Sequence, residues 1–261
     1  MDLKKLRNES DIRGVACEGI EGQHINLTDE AVYELSCGFF TWLGARLGKA
    51  PAALRVGVGR DSRITGPRIL EAVKKAAVDM GVSLFDTGLA STPAMFMSTI
   101  TPGFEFDGSI MITASHLPFN RNGLKFFVKE GGLEASDINE IIAVAEAGGF
   151  AKVGGGKCES IDFMTVYAKI LVDKIRKGTG KEQPLSGCKI VVDAGNGAGG
   201  FFVRDVLIPL GADTTGSQFL EPDGMFPNHI PNPEDKKAGE SISKAVLAAK
   251  ADLGIIFDTD V

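Results

Sequence analysis

The sequence predicts an α/β protein of two successive domains, the second incomplete, and three observations carry that prediction. Short apolar runs alternate with segments of helical periodicity along the chain. A stretch rich in Gly, Lys and Ala, Phe150 to Lys157, interrupts the alternation. The last apolar run, Leu253 to Phe257, opens directly onto Asp258, Thr259, Asp260 and Val261, which leaves an acidic loop with no partner element.

The elements follow in order. Asp29 to Leu47 carries apolar residues at helical spacing, with Thr28 as its N-cap. Arg55 to Gly59 reads as a strand. After the loop Arg60 to Gly66, Pro67 occupies a first helical position and Gly81 closes a helix through Val73 and Val78. Ser83 to Asp86 is a second strand, Thr92 and Pro93 open a further helix, and Ser109 to Thr113 and Gly123 to Val128 are buried strands around a polar loop. Beyond the Gly-rich stretch the periodicity of Ile161 to Ile175 is again helical, so the domains are placed at residues 1–155 and 156–261. The second domain then reads as strand Lys189 to Asp193, glycine loop Ala194 to Gly200, helix Phe201 to Leu210, a short strand near Asp213, helix Ser241 to Lys250 and strand Leu253 to Phe257. Its order of strand, Asp-bearing glycine loop, helix and strand repeats that of Arg55 to Asp86, which suggests an internal structural duplication.

Composition narrows the function. The chain has 261 residues, 44% of them hydrophobic, enough for about two globular domains. With 28 Lys and Arg against 34 Asp and Glu there is no broad positive field to attract nucleic acid. A small phosphorylated substrate remains compatible, because a few cations, backbone N–H groups or a metal suffice to bind one phosphate. Cys17, Cys37, Cys158 and Cys188 are widely spaced and form no C-x-x-C pair, which argues against zinc. The charged start of the chain has no apolar signal region, and no run approaches the ~18 apolar residues of a membrane span. These features predict a reduced, cytoplasmic protein with no membrane partner.

The chemistry concentrates in Thr113 to Phe127, TASHLPFNRNGLKFF, a loop between buried strands holding Ser115, His116, two Asn, an Arg and Lys125. Strand ends are where α/β proteins place reactive groups. Ser115 reads as a nucleophile or phosphate carrier; the alternative is a polar connection whose side chains cap their own backbone. A serine-hydrolase reading fails, because adjacent residues of an extended loop point to opposite sides, which makes Ser115 and His116 a poor dyad, and no G-x-S-x-G elbow surrounds the serine.

This stretch resembles the active-site serine signature of the α-D-phosphohexomutases, the phosphoglucomutase/phosphomannomutase family, usually T-A-S-H-N-P followed by N-G-x-K. Four more segments agree with the family in order: Asp11-Ile12-Arg13-Gly14; Gly59-Arg60-Asp61 with Arg63; Asp193 with Asn196, Gly197 and Gly199; and Pro222 to His229. Asp258 and Asp260 match the first two carboxylates of the family's metal loop. The resemblance implies two helix-flanked, mixed-sheet α/β domains of the phosphohexomutase type, the second truncated. It implies a phosphosugar mutase in which Ser115 passes its phosphate to a hexose monophosphate and recovers the other phosphate from the bisphosphorylated sugar. It further implies Mg²⁺ held by Ser115, Asp258 and Asp260; catalytic roles for Ser115, His116, Lys125 and Arg13; and substrate binding by Arg60 and Asn122. The sugar-recognition loop, the distal phosphate site and the third metal carboxylate are expected in further C-terminal domains, so the 261-residue chain is expected to be inactive alone. Leu117 departs from the commoner Asn, which bears on sugar preference.

Three rivals compete with this reading. Gly195-x-Gly197-x-x-Gly200 after a strand matches the dinucleotide fingerprint, but Asp193 would set a carboxylate against the pyrophosphate. Ile255 to Val261 imitates the aspartate-nucleophile motif of haloacid-dehalogenase-like phosphatases, yet that motif normally heads its domain. The third rival is a non-catalytic phosphosugar-binding module.

Overall fold

Structure is described for residues 2–261, from a computed structural model. The chain forms two units. The first takes in the chain through Arg60 together with Thr65–Ala114 and Asn120–Ile161; the second takes in Asp61–Ile64, Ser115–Phe119 and Asp162–Val261. No helix among the described residues is long and apolar enough to cross a membrane.

In the first unit, strands β1 (Arg7–Asn8) and β2 (Asp11–Val15) precede helix α1 (Asp29–Leu47). The helix starts at the predicted residue because Thr28 Oγ1 accepts the N–H of Ala31 at 3.2 Å, satisfying a donor that the first turn leaves open. It stops at Gly48, which takes the left-handed conformation that favours glycine. Strand β3 (Arg55–Arg60), helix α2 (Gly66–Met80) and strand β4 (Ser83–Leu89) make a parallel crossover, with proline in the first turn of α2 and Gly81 as its left-handed cap. Helix α3 (Thr92–Met97) is capped by the Ser91 hydroxyl. Strands β5 (Gly108–Ile112) and β6 (Arg121–Val128) run antiparallel, and β7 (Gly131–Gly132), α4 (Ala135–Ala147) and β8 (Lys157–Ser160) complete the unit.

The strands form one sheet in the order β1-β2-β6-β5-β3-β4-β8, with β7 on β6. Strands β5, β3, β4 and β8 are mutually parallel, whereas β2, β6 and β7 join antiparallel, so the sheet is mixed. Side chains alternate across it. Val56, Val58, Ile110, Ile112, Leu124 and Phe126 enter a core with Phe39, Phe40 and Leu43 of α1, Val73 and Ala76 of α2 and Ile138 and Ile141 of α4. The Phe39 ring stacks on Phe126 with centroids 4.5 Å apart.

The sequence reading lacks strands β1, β2, β7 and β8 and helix α4. Helix α4 follows from Ile138, Ile141, Ile142 and Ala145, an apolar stripe at helical spacing, behind the Glu134–Asp137 capping box. Strand β8 has no such signal: all four of its residues are exposed, and only its parallel pairing with β4 makes it a strand.

The second unit contains helix α5 (Phe163–Thr179), strand β9 (Ile190–Asp193), helix α6 (Lys236–Ala249) and strand β10 (Leu253–Ile256). The two strands are parallel, with Val192 opposite Ile255. Single bridges join Lys189 to Asp213 and Asp193 to Gln218, also parallel, so the strand expected near Asp213 is reduced to two contacts. The helix expected over Phe201 to Leu210 is a wide π-type turn at Phe202–Leu207, whose Val206 packs with Ala168 and Val172 of α5. Helix α6 starts five residues earlier than predicted, because the Asp235 carboxylate caps it through the N–H groups of Lys237 and Ala238.

Candidate active site

The serine loop is fixed from below by a buried arginine. Arg63 is fully buried, and its Nε donates to Asp61 Oδ2 at 3.1 Å while its backbone N–H donates to Asp61 Oδ1 at 2.9 Å. It also donates to three backbone carbonyls: Nη2 to Ser115 O at 2.6 Å and Leu117 O at 2.7 Å, and Nη1 to Pro118 O at 2.7 Å. A planar fork suits several acceptors at once, which a lysine cannot match. Held this way, Ser115 adopts φ +52°, a left-handed conformation that costs a non-glycine residue about 1–2 kcal/mol.

That backbone turn sets the side chains. Ser115 Oγ donates to Asp258 Oδ2 at 2.5 Å, joining residues from distant parts of the chain. His116 Nδ1 lies 3.4 Å from the same hydroxyl. The expectation that Ser115 and His116 diverge is therefore corrected: it assumed an extended loop, and the left-handed turn at Ser115 brings the two side chains to one side. A cavity of about 390 Å³ adjoins them, lined by His116, Asn232, Glu234, Phe257 and Asp258 among others.

Asp258 and Asp260 lie on the loop after β10, with Asp260 buried. The glycine loop holds this segment in place, since Ala198 N donates to Thr259 O at 2.8 Å. Gly197 is required there by close approach: a Cβ would stand 2.6 Å from Thr259 O and 2.8 Å from Thr259 Cα. The donors present are hard oxygens, two carboxylates and a serine hydroxyl, and the buried Thr259 Oγ1 between the carboxylates has no hydrogen-bond partner among the described residues. Such a set fits Mg²⁺. It supplies two acidic residues, and among the described residues no group of three or more His, Cys, Asp or Glu is arranged to hold a metal.

The backbone donors of the same glycine loop that a pyrophosphate would meet first, at Gly195 to Ala198, are already committed. Gly195 N donates to Asp193 Oδ1, Asn196 N to Phe219 O, Gly197 N to Ala194 O and Ala198 N to Thr259 O. Asp193 is fully buried and is also held by Gln218 Nε2 at 2.7 Å and His229 Nε2 at 3.1 Å. A dinucleotide cradle needs those N–H groups free and facing outward.

In the first unit, Arg13 on β2 and Lys125 on β6 share one carboxylate. Arg13 Nη2 donates to Asp11 Oδ2 at 3.1 Å, and Lys125 Nζ lies 3.6 Å from the same oxygen. Arg13 Nη1 also reaches Ala114 O at 3.4 Å, the carbonyl preceding Ser115. Asp11, to which the sequence reading gives no role, is thus the residue that gathers both cations. Asn122 is fully buried; its Nδ2 donates to Thr65 Oγ1 at 2.9 Å and its Oδ1 accepts from Gly123 N at 2.8 Å. Arg60 is the last residue of β3 and is half-buried, and its carbonyl accepts from Ala90 N at 2.9 Å.

The chain is similar to known proteins over nearly its whole length. The family model described as phosphoglucomutase/phosphomannomutase, alpha/beta/alpha domain I, matches residues 4–152, and that of domain II matches residues 165–261. A phosphoglucomutase of Neisseria meningitidis serogroup B is 32% identical, over 96% of this chain and 50% of its own length. A phosphomannomutase/phosphoglucomutase of Pseudomonas aeruginosa is 31% identical, over 96% of this chain and 49% of its own. The crystal structure of a phosphoglucomutase/phosphomannomutase family protein from Burkholderia thailandensis superposes with a TM-score of 0.82 at 27% identity, covering 100% of this chain and 54% of that one. The chain spans about half the length of the curated relatives it matches.

Proposed function

Because the chain belongs to the phosphoglucomutase/phosphomannomutase family, we propose that it is part of an isomerase that interconverts hexose 1-phosphate and hexose 6-phosphate, glucose or mannose, with Ser115 as the phosphoryl carrier. The observation that carries this reading is the 2.5 Å contact between Ser115 Oγ and Asp258 Oδ2, which sets a phosphorylatable hydroxyl against the acidic loop. In the forward step the Oγ–P bond of phosphorylated Ser115 breaks as a sugar hydroxyl oxygen bonds to phosphorus, and the hydroxyl proton passes to a basic side chain. The second step reverses this at the sugar's other phosphate, so net phosphorylation is unchanged.

Positioning and charge stabilisation dominate such a transfer, since charge spreads over the phosphoryl oxygens. Asp258, Asp260 and the Ser115 oxygen are the groups that would hold Mg²⁺, which neutralises that charge when bound. Arg13 and Lys125 are the cations assigned to the transfer site, with Asp11 holding both, and His116 or Lys125 carries the proton. Arg60 and Asn122 are assigned to the substrate side, Asn122 through the strand it orders. The setting is cytoplasmic, and the other half of such an enzyme supplies sugar recognition, so this chain alone does not turn over glucose 1-phosphate.

Intact-mass measurement of the purified chain, with and without glucose 1,6-bisphosphate, tests the reading. The expected result is a single phosphoryl adduct that Ser115→Ala abolishes and Asp258→Asn retains. An adduct that survives Ser115→Ala, or the absence of one on the unsubstituted chain, contradicts it. An adduct lost with Asp258→Asn but kept with Ser115→Ala identifies an aspartyl phosphatase instead. Robust conversion of glucose 1-phosphate by the chain alone contradicts the claim that it is inactive by itself.

A further inference from the structure

Asp61, Arg63 and the Pro222–His229 segment carry no role in the mechanism above, yet they meet at one side chain. We infer that Arg63 is a positioning residue for the phosphoryl carrier, and that the Pro222–His229 segment is the buttress that keeps it buried and aligned. The inference rests on the mutase reading for its consequence in catalysis, and on geometry alone for its structural part.

Arg63 binds the carbonyl oxygens of Ser115, Leu117 and Pro118 within 2.7 Å, so one guanidinium defines the path of the loop on both sides of His116. With all three carbonyls turned toward the guanidinium, Ser115 holds its left-handed conformation and its Oγ donates to Asp258. Asp61 fixes the guanidinium plane from the opposite edge, and both side chains are fully excluded from solvent. A buried pair of this kind contributes little net stability but sets geometry, because each charge is satisfied only in one arrangement.

The buttress covers the remaining face. The Phe226 ring lies 5.3 Å from the Arg63 guanidinium carbon. The backbone at Gly224 lies directly on the clamp: a Cβ there would stand 2.5 Å from Ile64 N and 2.7 Å from Arg63 Cα. Asn196 anchors the segment at several points, donating from Nδ2 to Glu221 O at 2.9 Å, accepting at its carbonyl from Asp223 N at 2.8 Å and at Oδ1 from Asn228 Nδ2 at 2.8 Å. The glycine loop that holds the Asp258 segment through Ala198 therefore also holds, through Asn196, the segment seated on Arg63. The serine and the acidic loop are thereby set by one connected scaffold.

The test uses the whole 261-residue chain. Arg63→Lys keeps the charge and loses the fork; Asp61→Asn combined with Arg63→Met removes both charges, so no unpaired charge stays buried if the single variant fails to fold. Hydrogen exchange resolved by peptide is expected to rise at least about tenfold across residues 115–119 in either variant, with peptides of α5 and β9 unchanged. In the same variants phosphorylation of Ser115 is expected to slow by at least about tenfold while the urea midpoint of the double variant stays near that of the parent. Unchanged exchange at 115–119, or a uniform rise over all peptides of the second unit, overturns the inference. If Ser115 of the unsubstituted chain takes no phosphate, the mutase reading fails while the exchange result still decides the positioning role.

Discussion

Replacing Gly197 by alanine places a methyl carbon 2.6 Å from the carbonyl oxygen of Thr259, 2.8 Å from its Cα and 3.0 Å from Asp258 O. All three are backbone atoms, so no side chain can swing aside. Restoring an ordinary 3.4 Å contact to the oxygen needs a displacement of about 0.8 Å, and the acidic loop must make it. Overpacking of this kind costs about 1–3 kcal/mol, and weakening the buried Ala198 N–H to Thr259 O bond adds about 1 kcal/mol or more. A total loss of about 2–4 kcal/mol should be read as a lower urea midpoint with unchanged slope. The same displacement stretches the 2.5 Å Ser115 to Asp258 hydrogen bond past the usual hydroxyl range, so Ser115 phosphorylation should fall as well. Gly199→Ala is the control, because its methyl group would meet the Phe257 ring at 2.7 Å, and a ring can tilt. A Gly197→Ala chain that unfolds at the parent's midpoint and takes phosphate at the parent's rate would refute this reasoning.

Three other outcomes follow from the same structure. Thr28→Ala should lower stability by about 1 kcal/mol in urea denaturation, since it removes the cap on Ala31 N; no change would show that the cap contributes nothing. Burial pushes the Cys37 thiol up to about 12 despite the opposing contact with Tyr33, whereas Cys158 is exposed, so a thiol reagent at pH 8 should label Cys158 in the folded chain and Cys37 only in denaturant. Hydrogen bonds from Lys75 and then Tyr33 hold the Asp79 carboxyl below its usual value. Its folded pKa is depressed, so its contribution is full above the ordinary carboxylate range and disappears as pH falls through the folded value. Asp79→Asn should accordingly remove less than about 1 kcal/mol at pH 7 and nothing at the acid end, as read from urea midpoints across pH.

Helices α1 and α2 and the strands from β3 to β6 were legible because local signals coincide there: apolar periodicity, Thr28 and Gly48 at the ends of one helix, Pro67 and Gly81 at the ends of the other. Strand β8 was not, since Lys157, Cys158, Glu159 and Ser160 carry no apolar alternation and are ordered by pairing alone. The π-type turn at Phe202–Leu207 likewise has the composition of an ordinary helix. In the site, Ser115 and Asp258 stand out as residue types in recognisable segments. The convergence of His116 on Ser115 does not, because it depends on a left-handed serine that no neighbouring residue announces. Arg63 is the clearest case. In the sequence it is one charged residue of the loop Arg60 to Gly66, and its complete burial depends on Asp61 and on three carbonyls from a distant loop.

Phosphorus NMR of the phosphorylated chain, titrated with Mn²⁺ as a paramagnetic substitute for Mg²⁺, tests the assignment of Ser115 and the Asp258 loop most directly. The account predicts one phosphomonoester resonance, absent from Ser115→Ala, that broadens beyond detection at stoichiometric Mn²⁺ and stays sharp when Asp258 and Asp260 are both changed to Asn. A resonance that stays sharp with Mn²⁺ in the unsubstituted chain, or that broadens equally in the double variant, would contradict it.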